Sequence, residues 1–162
     1  MTERSKTAPD ADDALASWSA LVTVYQSVLH DVVAALDDRA GIDSGVFSTL
    51  AYLERADPPH RLPMAELQRA MHPRYSQPGF SRLVQRMEAD GLVERRTDPD
   101  DRRATVVVST TTGRKQFRAA NAVYTDALRA SFGRHLRGDD HTRLTHLLER
   151  VSARRAESGS DL

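Results

Sequence analysis

Between Ser76 and Arg86 the polar side chains Gln77, Ser81, Arg82, Gln85 and Arg86 recur at spacings that put them on one face of a helix. Arginine and glutamine can make paired hydrogen bonds to guanine and adenine edges, and serine reaches bases or phosphates. Ser76 can cap this helix, and the N–H groups left unpaired in a first turn form an anion site suited to phosphate, although Pro78 removes one donor. A second basic group follows in Asp98-Pro99-Asp100-Asp101-Arg102-Arg103. Arg102 and Arg103 at a hairpin tip suit a minor groove narrowed by an A·T tract, and Asp101 beside them can hold a guanidinium in a fixed geometry. Either group alone reads as a solvated surface. A basic helix placed directly before a basic hairpin points to double-stranded DNA.

No catalytic constellation competes with that reading. His141 and His146 are five apart, off the i, i+4 spacing that places two metal ligands on one helix face, and His30, His60, His72 and His135 are scattered. The chain has no cysteine, no glycine-rich phosphate loop and no Gly-x-Ser-x-Gly element. Asp12-Asp13, Asp37-Asp38 and Asp139-Asp140 fall at helix ends, where capping and solvation account for them. The expectation is a protein that is not an enzyme and needs neither metal nor cofactor.

The elements that must position these side chains are mostly helical. Residues 1–13 are polar and acidic and read as a flexible arm. From Leu15 the apolar positions Trp18, Val22, Tyr25, Leu29, Val32 and Leu36 alternate steps of three and four, which predicts a long helix ending at Gly41. Leu21, Val24 and Val28 widen its apolar face beyond what one small domain covers, so a second subunit is expected there. Asp43 or Ser44 opens a second helix, Pro63 a third through Met71, and Ser76 a fourth with Phe80, Leu83, Val84 and Met87 inward and Gly91 as its stop. Residues 92–97 and 104–109 read as a two-stranded hairpin. Thr110 or Thr112 opens a fifth helix carrying Phe117, Ala120, Tyr124, Leu128 and Phe132, with a break at Gly138. Asp139 or Asp140 opens a sixth through Leu144, Leu147, Leu148 and Val151 before a frayed end at 157–162.

This order gives a mainly α (α+β) fold, a winged helix-turn-helix over residues 43–110 flanked by dimerisation helices at 14–40 and 113–156, all in one domain from 14 to 162. The composition agrees with one globular unit: 162 residues, 40% hydrophobic and 28% charged. Its 23 basic and 23 acidic side chains cancel, which at first opposes nucleic-acid binding. The cancellation is uneven, with net −6 over residues 1–68, +2 over 69–103 and +4 over 104–162. No uninterrupted run of eighteen apolar residues and no signal-peptide pattern is present, so a cytoplasmic, non-membrane protein is expected. A C2 dimer would bury the long apolar seams and set two recognition helices about 34 Å apart, each reading half of a palindrome.

The stretch Phe80-Ser81-Arg82-Leu83-Val84-Gln85-Arg86-Met87-Glu88-Ala89-Asp90-Gly91-Leu92-Val93-Glu94-Arg95, followed by Asp98-Pro99-Asp100-Asp101-Arg102-Arg103-Ala104, resembles the MarR family of winged helix-turn-helix transcriptional regulators. The resemblance implies an obligate homodimer that binds a palindromic operator, usually as a repressor released by a small ligand. By position it implies that Arg103 enters the minor groove with Asp101 orienting it, and that Ser81, Arg82 and Arg86 belong to the recognition helix. It further implies a ligand pocket between the dimer helices and the winged domain, for which Trp18, Tyr25, His30 and Phe47 are the candidates, with an aromatic or anionic ligand as the family habit. Departures from the pattern are Gln85 where an acidic residue is common, Pro78 and Gly79 in the first turn, and Ser109 in place of leucine after the hairpin. The alternative is a winged module that binds only protein, which would tolerate loss of the arginine face.

Overall fold

The computed structural model describes residues 11–99 and 101–158. Six α-helices and a small sheet follow in the order α1 (Ala11–Ala40), α2 (Ser44–Arg55), β1 (Arg61–Pro63), α3 (Met64–Met71), α4 (Gln77–Ala89), β2 (Val93–Thr97), β3 (Thr105–Ser109), α5 (Thr111–Ser131) and α6 (Asp140–Ser158). A 3-10 turn at Gly133–His135 lies between the last two helices. The caps are those the sequence offers. Asp43 accepts from the Gly45 and Val46 N–H groups, Ser76 from Gly79 and Thr110 from Gly113, each supplying an acceptor that a first turn lacks. Gly91 turns the chain out of α4 at φ +70°, a conformation that costs glycine no Cβ clash.

The core lies under the winged segment. Phe80, Leu83, Val84 and Met87 of α4 are buried together with Leu67 and Met71 of α3, Leu50 and Leu53 of α2, and Val93 and Val107 of the sheet. Leu36 near the end of α1 reaches the same cluster, and α1 packs along α5, where Ala120 and Ala127 are buried. The small side chains let the two helix axes approach. Phe47 of α2 stacks on Phe117 and Tyr124 of α5, with ring centroids 5.6 and 5.0 Å away, and so ties the winged segment to the helical frame.

Several expectations are corrected. The hairpin is part of a three-stranded antiparallel sheet in the order β1-β3-β2, in which Leu62 faces Val107 and Arg95 faces Val107 from the other side. Pro63, expected inside the first turn of the third helix, ends β1 and stands at the N-cap of α3. Residues 11–13 of the expected arm are helical, while 1–10 lie outside the described residues, as do 159–162 of the expected frayed end. The fifth helix stops at Ser131, ahead of Phe132. Ser109 is buried where leucine was the expected type, because its hydroxyl donates to Glu54 Oε1 at 3.0 Å while its carbonyl accepts from Arg114 Nη1. A leucine would leave that carboxylate without its donor.

By length and composition alone, α1 is long and apolar enough to cross a membrane, and only 11% of its most apolar window is buried within the chain. This qualifies the expectation taken from uninterrupted apolar runs. Its burial is uneven: Val32 and Leu36 are buried, whereas Leu15, Trp18, Leu21, Val24 and Tyr25 are exposed.

Candidate nucleic-acid interface

The apolar stripe of α4 fixes which face is left over. With Phe80, Leu83, Val84 and Met87 fully seated, Gln77, Arg82, Gln85 and Arg86 are exposed and Ser81 is half-buried at the border. The sequence thus places all five on the outer side of a helix that its own core holds in place. Ser76 is exposed, but its hydroxyl oxygen already accepts from Gly79 N at 3.3 Å, so it acts first as a helix cap. The remaining N–H groups of that turn are what an anion would find there.

At the wing tip Asp101, Arg102 and Arg103 are all exposed. Asp101 Oδ1 accepts from the Arg103 backbone N–H at 2.9 Å, and its carbonyl accepts from Ala104 N. The expected contact to a guanidinium is therefore replaced by a contact to the main chain. Asp101 sets the turn from which Arg103 projects.

Helix and wing are fastened together. Glu88, in the last turns of α4, accepts from Arg95 N at 3.0 Å and from Arg95 Nε at 2.8 Å, across the Gly91 turn. Arg95 thereby pairs its guanidinium, still solvent-exposed, with a carboxylate of α4, and Arg96 pairs with Glu94 in the same strand. The electrostatic consequence is that two of the wing arginines are neutralised locally. The hydrogen bonds from Arg95 hold the Glu88 carboxyl below its ordinary pKa. A lowered carboxylate pKa contributes stability above the ordinary value and loses it as pH falls through the folded-state value. Glu88→Gln should therefore remove part of the acid-side fall in stability. Urea denaturation at neutral pH and below the carboxylate range checks this, and an unchanged acid limb would dismiss the clamp.

A family model described as MarR family matches residues 40–104, the segment that holds α2 through the wing tip. Residues 40–104 belong to the MarR family. No curated protein sequence matches significantly. Among solved structures, AbsC, a MarR family transcriptional regulator from Streptomyces coelicolor, is 23% identical, with a TM-score of 0.77 over 93% of this chain and 99% of that one. A second MarR family transcriptional regulator from S. coelicolor, solved in complex with DNA, is 23% identical with a TM-score of 0.73 over 93% and 91% of the two chains. A mutant MarR from E. coli complexed with operator DNA is 21% identical with a TM-score of 0.69 over 88% and 99%. The likeness carries the MarR fold beyond the matched segment to nearly the whole chain.

The four ligand candidates do not line one cleft among the described residues. His30 lines a cleft of about 340 Å³ with Val33, Ala34, Asp37, Ile42, Asp43 and Ser44, at the junction of α1 and α2. Phe47 is buried in its stack with Phe117 and Tyr124. Trp18 and Tyr25 stand exposed on the N-terminal half of α1, and the Tyr25 hydroxyl accepts from Arg74 Nη2 at 3.3 Å. Two positioning features of this MarR-type segment escape motif reading. The Glu88–Arg95 clamp is signalled only by opposite charges flanking the Gly91 turn, and Tyr75, half-buried ahead of α4, is signalled only by being an aromatic residue in a turn.

Proposed function

We propose that this protein is a sequence-specific DNA-binding transcriptional regulator that binds a palindromic operator as a homodimer in the cytoplasm. The observation that carries the reading is the exposed Arg82, Gln85 and Arg86 face of α4, on a helix locked to an arginine-tipped wing by Glu88 and Arg95. A helix of this kind fits the major groove, and the wing tip reaches the neighbouring minor groove. The DNA complexes of similar MarR proteins from S. coelicolor and E. coli support the same use of the fold.

The dimer is supported by what one protomer leaves uncovered. Leu15, Trp18, Leu21, Val24 and Tyr25 on α1 and Leu147, Leu148 and Val151 on α6 are exposed large apolar side chains at helical spacing. A second copy buries such faces on both subunits at once under two-fold symmetry. Repression and release by a small ligand complete the proposal, with the α1–α2 cleft as the place for that ligand. Asp37 and Asp43 on its rim oppose an anion and favour an aromatic ligand that is neutral or cationic.

Recognition is tested by substitution on the helix face. Arg82→Ala or Arg86→Ala should each lower affinity by about 1 to 3 kcal/mol if the side chain reads a base, with specificity relaxed at one operator position. Binding assays over a set of single-base operator variants measure this. A loss that is uniform across all variants would reassign the residue to phosphate, and no loss at either would remove α4 from the interface.

A further inference from the structure

Tyr75, in the turn between α3 and α4, holds its ring between two glycines of different helices. A methyl group at Gly45, in the first turn of α2, would overlap the Tyr75 hydroxyl, and a methyl at Gly79, in the first turn of α4, would meet Tyr75 Cδ1 at 3.8 Å. Gly45 is itself buried. The ring therefore occupies the space that the missing Cβ of Gly45 leaves open at the start of α2, and lies within van der Waals reach of Gly79 at the start of α4. Burial, with the Asp43 carboxylate, raises the Tyr75 pKa against the opposing pull of Arg86 and Arg74, so the phenol stays neutral. The adjoining Arg74 donates to the Tyr25 hydroxyl on α1. The turn that enters α4 is thus fastened to α1 by Arg74 and braced against α2 by Tyr75.

We propose that Tyr75 is a positioning residue: a rigid spacer that fixes the stand-off of α4 from α1 and α2, and through it the half-site spacing that the dimer accepts. This rests on the DNA-binding homodimer proposed above. An aromatic ring has no torsion that changes its width, and close-packed contacts transmit displacements of a methyl group rather than absorb them. Two-fold symmetry counts each displacement twice, so about 1.7 Å per subunit equals the rise of one base pair, about 3.4 Å.

The test uses the full chain and a duplex selected by it from a random pool, remade with one base pair added to or removed from the segment between half-sites. Wild type should prefer the selected spacing. Gly45→Ala, which drives the ring off α2, should change the ratio of affinities between spacings by about tenfold, the order of one misplaced base pair. Tyr75→Leu should relax the ratio by a similar factor, Tyr75→Phe should keep it, and adding Gly45→Ala to Tyr75→Ala should have no further effect. Equal loss on all three duplexes in Gly45→Ala and Tyr75→Leu, or unchanged ratios in both, overturns the spacer role. Failure of wild type to select any duplex overturns the DNA reading itself, and the spacer role with it, before any variant is made.

Discussion

Arg103→Ala should weaken operator binding by about 1 to 3 kcal/mol, roughly fivefold to 150-fold, and should reduce the salt slope by about one phosphate contact. The side chain is exposed at the tip of the wing, so its removal leaves no cavity and the melting temperature should not move. The structure adds a second arm that separates two mechanisms. Asp101 contacts the backbone N–H of Arg103, and asparagine offers the same acceptor oxygen without charge. Asp101→Asn should therefore bind nearly as wild type does, whereas Asp101→Ala should lose a part of what Arg103→Ala loses. Equal losses in Asn and Ala variants, read by equilibrium binding at fixed salt, would mean that the carboxylate charge acts on the guanidinium directly.

The largest expected effect belongs to the helical frame. Leu147 and Val151, one turn apart on α6, are 55% and 60% exposed, and Trp18 on α1 is 62% exposed. Replacing Leu147 and Val151 by glutamate removes two apolar anchors from each of two subunits. At about 1.5 kcal/mol or more per side chain this amounts to at least roughly 6 kcal/mol, or about four decades in dissociation constant. Sedimentation at micromolar concentration should show a dimer for wild type and a monomer for the double variant. Trp18 is the only tryptophan of the chain, so its emission reports the same event and should move to longer wavelength in the variant. A wild-type monomer at that concentration would leave the exposed seams without a symmetric partner and refute the dimer.

Much of this architecture is written in local pattern. Phe80, Leu83, Val84 and Met87 stand at i, i+3, i+4 and i+7 and all four are buried, because a stripe at that period has one way to face a core. Asp43, Ser76 and Thr110 cap their helices because the cap chemistry involves only neighbours in sequence. Contacts between distant segments are the part that pattern leaves out. β1 spans three residues and ends in proline, too short to show alternation, and its partner Val107 is supplied from beyond α4. Tyr75 between Gly45 and Gly79 depends on three separate elements meeting, which no period encodes.

The candidate site divides along the same line. Gln77, Arg82, Gln85 and Arg86 are legible as the complement of an apolar stripe, and the structure exposes them all. The role of Asp101 was legible only as proximity, since sequence adjacency does not say whether a carboxylate meets a guanidinium or a main-chain N–H. Trp18, Tyr25, His30 and Phe47 share aromatic or polar-tipped chemistry without sharing a place. Phe47 turns inward to α5, His30 faces the cleft, and the other two lie farther along α1. Global charge was the least informative quantity, because Arg95 and Arg96 are paired within the winged segment while Arg82, Arg86, Arg102 and Arg103 stand on its exposed surfaces.

The central claim is that this neutral chain binds DNA through a few well-placed arginines. A gel-shift titration on the DNA flanking its own gene, repeated across a salt series, tests it most directly. A retarded band is expected at low salt, with an affinity that falls log-linearly with salt at a slope of about −0.9 per phosphate neutralised. No retarded band at the lowest salt would contradict it.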